Sequence, residues 1–312
     1  MLQEADVFGL RKSTLGFRNQ RTRELEDKLQ TKSKALINNE RSIKLKSPSK
    51  INFGLWIKER RPDNYHEIET IFYENNKLFD EIEIEIKEDK HLSVEVLFLQ
   101  KELNKLIPAE NNLAYKAAIL FFSKIGFVGS CNIKINKNIP LKAGLGGGST
   151  NAAFVLKGLN KLFNNMINQS ELLDLASKIG SDAPFFIIGN TCHATGKGEV
   201  LKNVENNLAL EIKVLKPDNI SISTAWAYEL IDSREFLTDR KTEISNLLLA
   251  MKNKNQDLFF KNLFNDFEMV VFSYFPELIN LRNKLFEEGF MAVGLCGSGS
   301  AIYGVRKAKS QL

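Results

Sequence analysis

Apolar residues along this chain recur at two different spacings, and the changes between them mark out elements. The segment Lys50-Ile51-Asn52-Phe53-Gly54-Leu55-Trp56-Ile57 reads as a strand entering a core. Arg60 to His66 is polar, and Pro62 followed by Asp63-Asn64 supplies a fixed φ and then residues that tolerate a left-handed conformation, which predicts a turn. Strands are predicted at 67–73 and 80–87; in the second, Ile82, Ile84 and Ile86 alternate with Glu81, Glu83 and Glu85. Helical spacing takes over at 112–124, 151–163, 170–178, 243–252 and 276–288, while 131–136, 185–188 and 211–215 read as strands. Helices and strands mix without strict βαβα alternation, which predicts an α+β fold.

Residues 1–46 are polar and charged, with one short helical stretch at 22–36, and read as an N-terminal extension. They hold 11 Lys and Arg against 6 Asp and Glu, which is all of the chain's net charge of +5; residues 47–312 hold 32 of each sign. The body is therefore neutral and carries no basic stripe with interleaved aromatics, so neither nucleic acid nor membrane is expected as a partner. At 312 residues, 43% hydrophobic and 26% charged, the chain has the make-up of a globular protein of two ordinary domains. No run approaches the roughly 20 apolar residues of a spanning helix, and the N-terminus lacks the apolar core of an export signal. Cys131, Cys192 and Cys296 are far apart and odd in number, which predicts neither disulfides nor a zinc site and suits a cytoplasmic location.

The strongest chemical signal is Pro140-Leu141-Lys142-Ala143-Gly144-Leu145-Gly146-Gly147-Gly148-Ser149-Thr150, which runs directly into an Ala-rich helical segment. Four glycines in five positions cost backbone entropy and contribute nothing to a core. Before a helix they let successive N–H groups converge on an anion, and the helix N-terminus adds unpaired donors and partial positive charge. No lysine follows the glycines, so this is not the GxxxxGK[ST] loop, and the spacing is not that of the dinucleotide fingerprint.

Lys50 before an apolar strand, Asp182 in Gly180-Ser181-Asp182-Ala183-Pro184, and the second glycine-rich loop from Gly294 to Ala301 are each weak signals alone. In this order and spacing they resemble the three-motif pattern of the GHMP kinases. The segments SPSKIN, RRPDNYHEIET, NIPLKAGLGGGSTNAA, IGSDAPFF, ATGKGE and ISTAWAY are most similar to the branch whose substrate carries a cytidine diphosphate group. The resemblance runs from about residue 47 to 304. It implies a two-domain GHMP kinase fold, residues 47–205 and 206–312, with the active site in the cleft between them.

The same resemblance implies ATP and Mg²⁺ as cofactors and a catalytic pair of Lys50 and Asp182, with Asp182 taking the proton of the substrate hydroxyl. It assigns residues 140–150 and Asn112 to ATP, Ser149 to the metal, and Asn52, Tyr65, His66 and Tyr228 to the substrate, the two tyrosines sandwiching the cytosine. The implied reaction phosphorylates a tertiary hydroxyl in non-mevalonate isoprenoid precursor synthesis, by a monomer or homodimer. Two alternatives stay open. A kinase of the same superfamily for homoserine or mevalonate lacks a use for the YHEIET and WAY segments, and a non-catalytic nucleotide-binding protein lacks one for the Lys50 and Asp182 pair. Leu141-Lys142, Thr150 and Asn64 depart from the family's usual residues; asparagine, like glycine, accepts a positive φ.

Overall fold

The computed structural model describes residues 41–233 and 239–308, so the helix expected at 22–36 and residues 1–40 of the extension lie outside the described residues. The first strand, β1 (Arg41–Arg60), begins six residues ahead of the boundary expected at Ser47. In residues 41–46, Ile43 and Leu45 pack against the core while Ser42, Lys44 and Lys46 face solvent, and Ser47 to Leu55 are then buried without a break. A turn over 61–65 leads into β2 (His66–Glu88), which pairs antiparallel with β1 from Arg60↔His66 to Arg41↔Ile86. The two strands expected at 67–73 and 80–87 are thus one; the polar stretch between them is carried through register shifts rather than a turn.

The larger sheet runs β3-β4-β2-β5-β6, with β1 on β2, where β3 is Ser93–Phe98, β4 Gly129–Asn136, β5 Thr191–Thr195 and β6 Val200–Asn203. Only β3 and β4 are parallel to each other. One face is covered by α2 (Leu113–Ile125), α3 (Gly147–Leu162), α4 (Gln169–Ser177) and α5 (Ala183–Ile188), which share a core with Ile82, Ile84, Ile86 and Ile133; α1 (Lys101–Leu106) is a short surface helix. The expectation of a strand at 185–188 is corrected: these residues are α5. A four-residue apolar run has no period of its own, and Pro184 in the first turn together with Gly189 after the last residue supplies the helix ends.

The second sheet is β7-β9-β8, antiparallel, from β7 (Leu210–Leu215), β8 (Ala292–Leu295) and β9 (Ile302–Lys307). Around it lie α6 (Thr224–Asp232), α7 (Lys241–Lys252), α8 (Gln256–Lys261), α9 (Glu268–Tyr274) and α10 (Pro276–Glu287). The middle of β1 joins the two halves. Ile51 and Phe53 pack with Leu247, Phe259 and Tyr303 of the C-terminal half, and with Ile139, Ala143 and Leu145 of the glycine loop. Leu55 and Ile57 pack with α6, α9 and α10. β1 pairs with β2 alone in the sheet, apart from one parallel bridge from Leu55 to Asn265, but its middle is covered on both faces, so Ser47, Ser49, Lys50 and Asn52 are buried along with its apolar residues. Among the described residues no helix is long and apolar enough to cross a membrane.

Candidate active site

The glycine loop is built as a cradle whose shape forbids side chains. Gly144 has φ +76°, and a Cβ on it would lie 1.7 Å from the carbonyl oxygen of Cys296. Gly146, at φ +71°, faces Lys50 Cγ and the Phe186 ring, both within 3.0 Å of where its Cβ would be. The loop is closed against the second glycine loop: Ala301 N donates to Ala143 O at 3.3 Å, and Cys296 N donates to Ala301 O at 2.8 Å. Helix α3 starts inside the glycines, at Gly147 rather than at Asn151, and no side chain caps it. Its first N–H groups are thus left for an anion.

Lys50 is tied to that loop by its own backbone, since its N–H donates to Leu145 O at 2.9 Å. Its ammonium is nearly buried, 4.6 Å above the Phe72 ring, donating to Asn52 Oδ1 at 3.1 Å and lying 3.5 Å from Asp182 Oδ2. Asn52 is fully engaged here: its amide donates to Thr70 Oγ1 at 2.9 Å, and that hydroxyl donates on to Gly54 O at 2.6 Å. Asp182 precedes α5, but its side chain does not cap the helix; it stays 29% exposed, and the carboxylate faces Lys50.

A second polar cluster lies beneath the loop. Asp80 is fully buried and accepts from Asn138 N and Ile139 N, both at 2.8 Å, from Asn151 Nδ2 at 2.8 Å, and from Lys137 Nζ. Lys137 Nζ stands 3.1 Å from where a Cβ on Gly147 would be, directly below the start of α3. Burial pushes its pKa down and the Asp80 carboxylate opposes this. The sequence reading missed this cluster. Its one linear signal is a lysine just ahead of Ile139-Pro140, because the carboxylate comes from a strand 57 residues earlier.

The remaining expected residues lie as follows. Asn112 caps α2, its Oδ1 accepting from Ala114 N at 2.9 Å, and Leu113 beside it lies 3.4 Å from where a Gly148 Cβ would be. Ser149 is half-buried in the first turn of α3, while Thr150 Oγ1 is buried without a partner. Leu141 and Lys142 are exposed, Lys142 at φ +50°. His66 stacks on Tyr228, with ring centroids 4.6 Å apart and planes 10° from parallel. Tyr65 is 58% exposed, and its ring lies 4.4 Å under Lys197 Nζ rather than against Tyr228. Burial, with Asp182's charge adding to it, pushes the Tyr228 phenol up to about 12.

Asp232 and Asn265 were not expected. Asp232 Oδ1 lies 2.6 Å from His66 Nε2. Asn265 donates its two amide hydrogens to Leu295 O and Gly297 O at 2.9 and 2.8 Å, and so grips the second glycine loop from below. The backbone on either side of it pairs with β1, Leu55 N donating to Phe264 O and Asp266 N to Leu55 O. Among the described residues no group of three or more His, Cys, Asp or Glu side chains could hold a metal.

Known proteins resemble this chain. The family described as GHMP kinases N terminal domain matches residues 112–190, and GHMP kinases C terminal matches residues 247–311. The 4-diphosphocytidyl-2-C-methyl-D-erythritol kinase of Bacillus licheniformis is 34% identical over 269 residues, covering 86% of this chain and 89% of that one. A crystal structure of 4-(cytidine 5'-diphospho)-2C-methyl-D-erythritol kinase superposes with a TM-score of 0.70 at 30% identity, over 85% of this chain and 91% of the other. Homoserine kinase from Cytophaga hutchinsonii superposes equally well, also with a TM-score of 0.70, but at 14% identity, over 86% of each chain, and shares the fold alone. A glycine cradle closed by a second loop, a Lys and Asp pair at its edge, and relatives of this identity over most of both chains place the protein: it belongs to the GHMP kinases, within the 4-diphosphocytidyl-2-C-methyl-D-erythritol kinase family.

Proposed function

We propose that this chain transfers the γ-phosphoryl group of ATP to the tertiary hydroxyl of 4-diphosphocytidyl-2-C-methyl-D-erythritol, a step of non-mevalonate isoprenoid precursor synthesis. The observation that carries the reading is the placement of Lys50 Nζ 3.5 Å from Asp182 Oδ2, with Lys50 fixed by its backbone to the glycine cradle. Asp182 accepts the hydroxyl proton as the alcohol oxygen bonds to the γ-phosphorus; the bond to the bridging oxygen breaks and ADP leaves. Lys50 offsets the charge that develops on the transferring group and keeps the carboxylate oriented, and Asn52 keeps Lys50 in place.

Residues 140–150 hold the triphosphate through backbone N–H groups, and Asn112 lies at the adenine end of the same cradle. Magnesium in such sites is held mostly by substrate phosphates and water. Ser149 is the hydroxyl we assign to it. When bound, magnesium would supply positive charge to the phosphates. His66, Tyr228 and Tyr65 take the cytosine, with Tyr65 free to move onto the base from its exposed position. The enzyme acts on this small molecule in the cytoplasm as a monomer or homodimer, without nucleic acid or membrane.

ADP release from ATP and Mg²⁺, with and without the cytidine-bearing acceptor, tests the reaction. Turnover that depends on the acceptor is expected. A folded protein that releases no more ADP with the acceptor than without it would refute the substrate.

A further inference from the structure

The geometry points to Asp232 as the residue that sets which pyrimidine the site accepts, by fixing the tautomer of His66. The inference rests on the cytidine-bearing acceptor proposed above. Asp232 ends α6, and its Oδ1 lies 2.6 Å from His66 Nε2. Its other oxygen, Oδ2, lies 3.6 Å from Arg60 NH1, so the carboxylate is held from two sides. The His66 ring is nearly buried and is kept parallel to Tyr228 at 4.6 Å. Among the described residues no group bonds the second ring nitrogen, Nδ1, and it is not one of the buried atoms left without a partner.

An ionised carboxylate only accepts hydrogen bonds, so Nε2 must carry the hydrogen. In the Nε2–H tautomer the ring presents a lone pair at Nδ1. Cytosine and uracil differ at two adjacent edge positions: cytosine has an amine at C4 and a bare N3, uracil a carbonyl at C4 and an N3–H, and Nδ1 is set against the C4 group. A lone pair at Nδ1 accepts from the amine and repels the carbonyl; the opposite tautomer would reverse the preference. Asp232 therefore reads the base without touching it, as a positioning residue acting through His66. Sites built to hydrogen-bond a substrate group discriminate far more strongly than apolar pockets do, because the wrong partner leaves a buried polar group unpaired.

The test has a spectroscopic and a kinetic arm, both on the full-length chain. The chain has three histidines, His66, His91 and His193, so ¹⁵N-histidine labelling with a His66→Asn variant assigns the ring in question. Wild type should show hydrogen on Nε2 and a lone pair on Nδ1, and Asp232→Ala should lose that pattern. An Nδ1–H in wild type overturns the proposal. In the kinetic arm, the ratio of kcat/KM for the cytidine acceptor to that for its uridine counterpart should fall by about tenfold or more in Asp232→Ala, with KM for ATP within about twofold. Asp232→Glu should recover part of the ratio. An unchanged ratio, with both acceptors losing rate together, makes Asp232 merely structural and overturns the proposal. If wild type turns over neither acceptor, the kinase reading fails, and the binding ratio of CDP to UDP in the same variants decides the inference.

Discussion

Lys50 Nζ and Asp182 Oδ2 are 3.5 Å apart, an ion pair whose lysine is nearly buried and whose carboxylate is partly open to solvent. That asymmetry suits a lysine that stays in place and a carboxylate that meets a substrate. Asp182→Asn keeps the shape and removes the proton acceptor. We expect turnover to fall by roughly 10²–10⁴, with ATP affinity within about threefold, measured by ADP release and by calorimetric titration of ATP. Comparable losses in both would show that Asp182 builds the nucleotide site rather than serving the chemistry.

Gly144→Ala should damage the cradle directly. Its Cβ would overlap Cys296 O at 1.7 Å, and its φ of +76° is itself unfavourable for alanine. A cost of at least about 2 kcal/mol is expected, seen as a lower thermal midpoint together with weakened ATP binding. Gly180→Ala, which would meet nothing within 4 Å, should leave the thermal midpoint nearly unchanged.

Lys137→Met tests the buried cluster under the loop. It strands the Asp80 carboxylate with only neutral donors, and denaturant unfolding should show a loss of about 3–5 kcal/mol. The double variant Asp80→Asn with Lys137→Met should lose clearly less than the sum of the two single changes. Simple additivity would mean that the two groups do not act as a pair.

Glu268 gives a pH signature. Burial pushes its carboxyl up to about 7, partly relieved by the hydrogen bond from Leu295 N and by Arg282. The folded state therefore holds this proton more tightly than the unfolded chain does. The associated stability is fully present below about pH 4.5, the ordinary glutamate value, and is lost as pH rises towards 7. The residue as a whole keeps some contact with solvent, so roughly 1–2 kcal/mol of pH dependence is expected from it. Glu268→Gln should flatten the unfolding free energy across that window. A variant whose pH profile overlays wild type would rule this out.

Asn265→Ala removes both donors that hold Leu295 O and Gly297 O. Because the loop they hold abuts Gly144, KM for ATP should rise by about tenfold while KM for the acceptor changes little. Equal changes in both would place the effect outside the nucleotide cradle.

How much of this was legible in the sequence depended on whether a residue's use is local. Glycines 144 and 146–148 could be read because a glycine run directly ahead of an Ala-rich helix suits an anion cradle better than a bare hinge; Gly144 and Gly146 carry the close approach, while a Cβ on Gly148 would meet only ordinary contacts. The alternation at Ile82, Ile84 and Ile86 could be read because one face of a strand is buried and its neighbours are not. Lys50 and Asp182 were found only through a family pattern; neither has a local feature that separates it from a solvated lysine or a turn aspartate. Asp80, Asp232 and Asn265 were missed because each gains its meaning from a partner 57 residues away (Lys137), 166 residues away (His66) or about 30 residues away (the loop at 295–297). The helix at 183–188 was misread because four apolar residues fit either period. The single long β2 was missed because a polar stretch inside it looks like a turn until β1 is laid beside it.

The contact of Gly144 with Cys296 has a consequence for how the enzyme comes into being. One wall of the nucleotide cradle is made from residues near 140–150 and the other from residues 294–301, and the two meet at Gly144 and Cys296 and through Ala301 N and Ala143 O. A growing chain on the ribosome can display its lysine, its aspartate and all four glycines of the first loop while the pocket still lacks its second wall. The order of synthesis thus puts completion of the cradle among the last events in making this chain, after both halves of the Lys50 and Asp182 pair are already present.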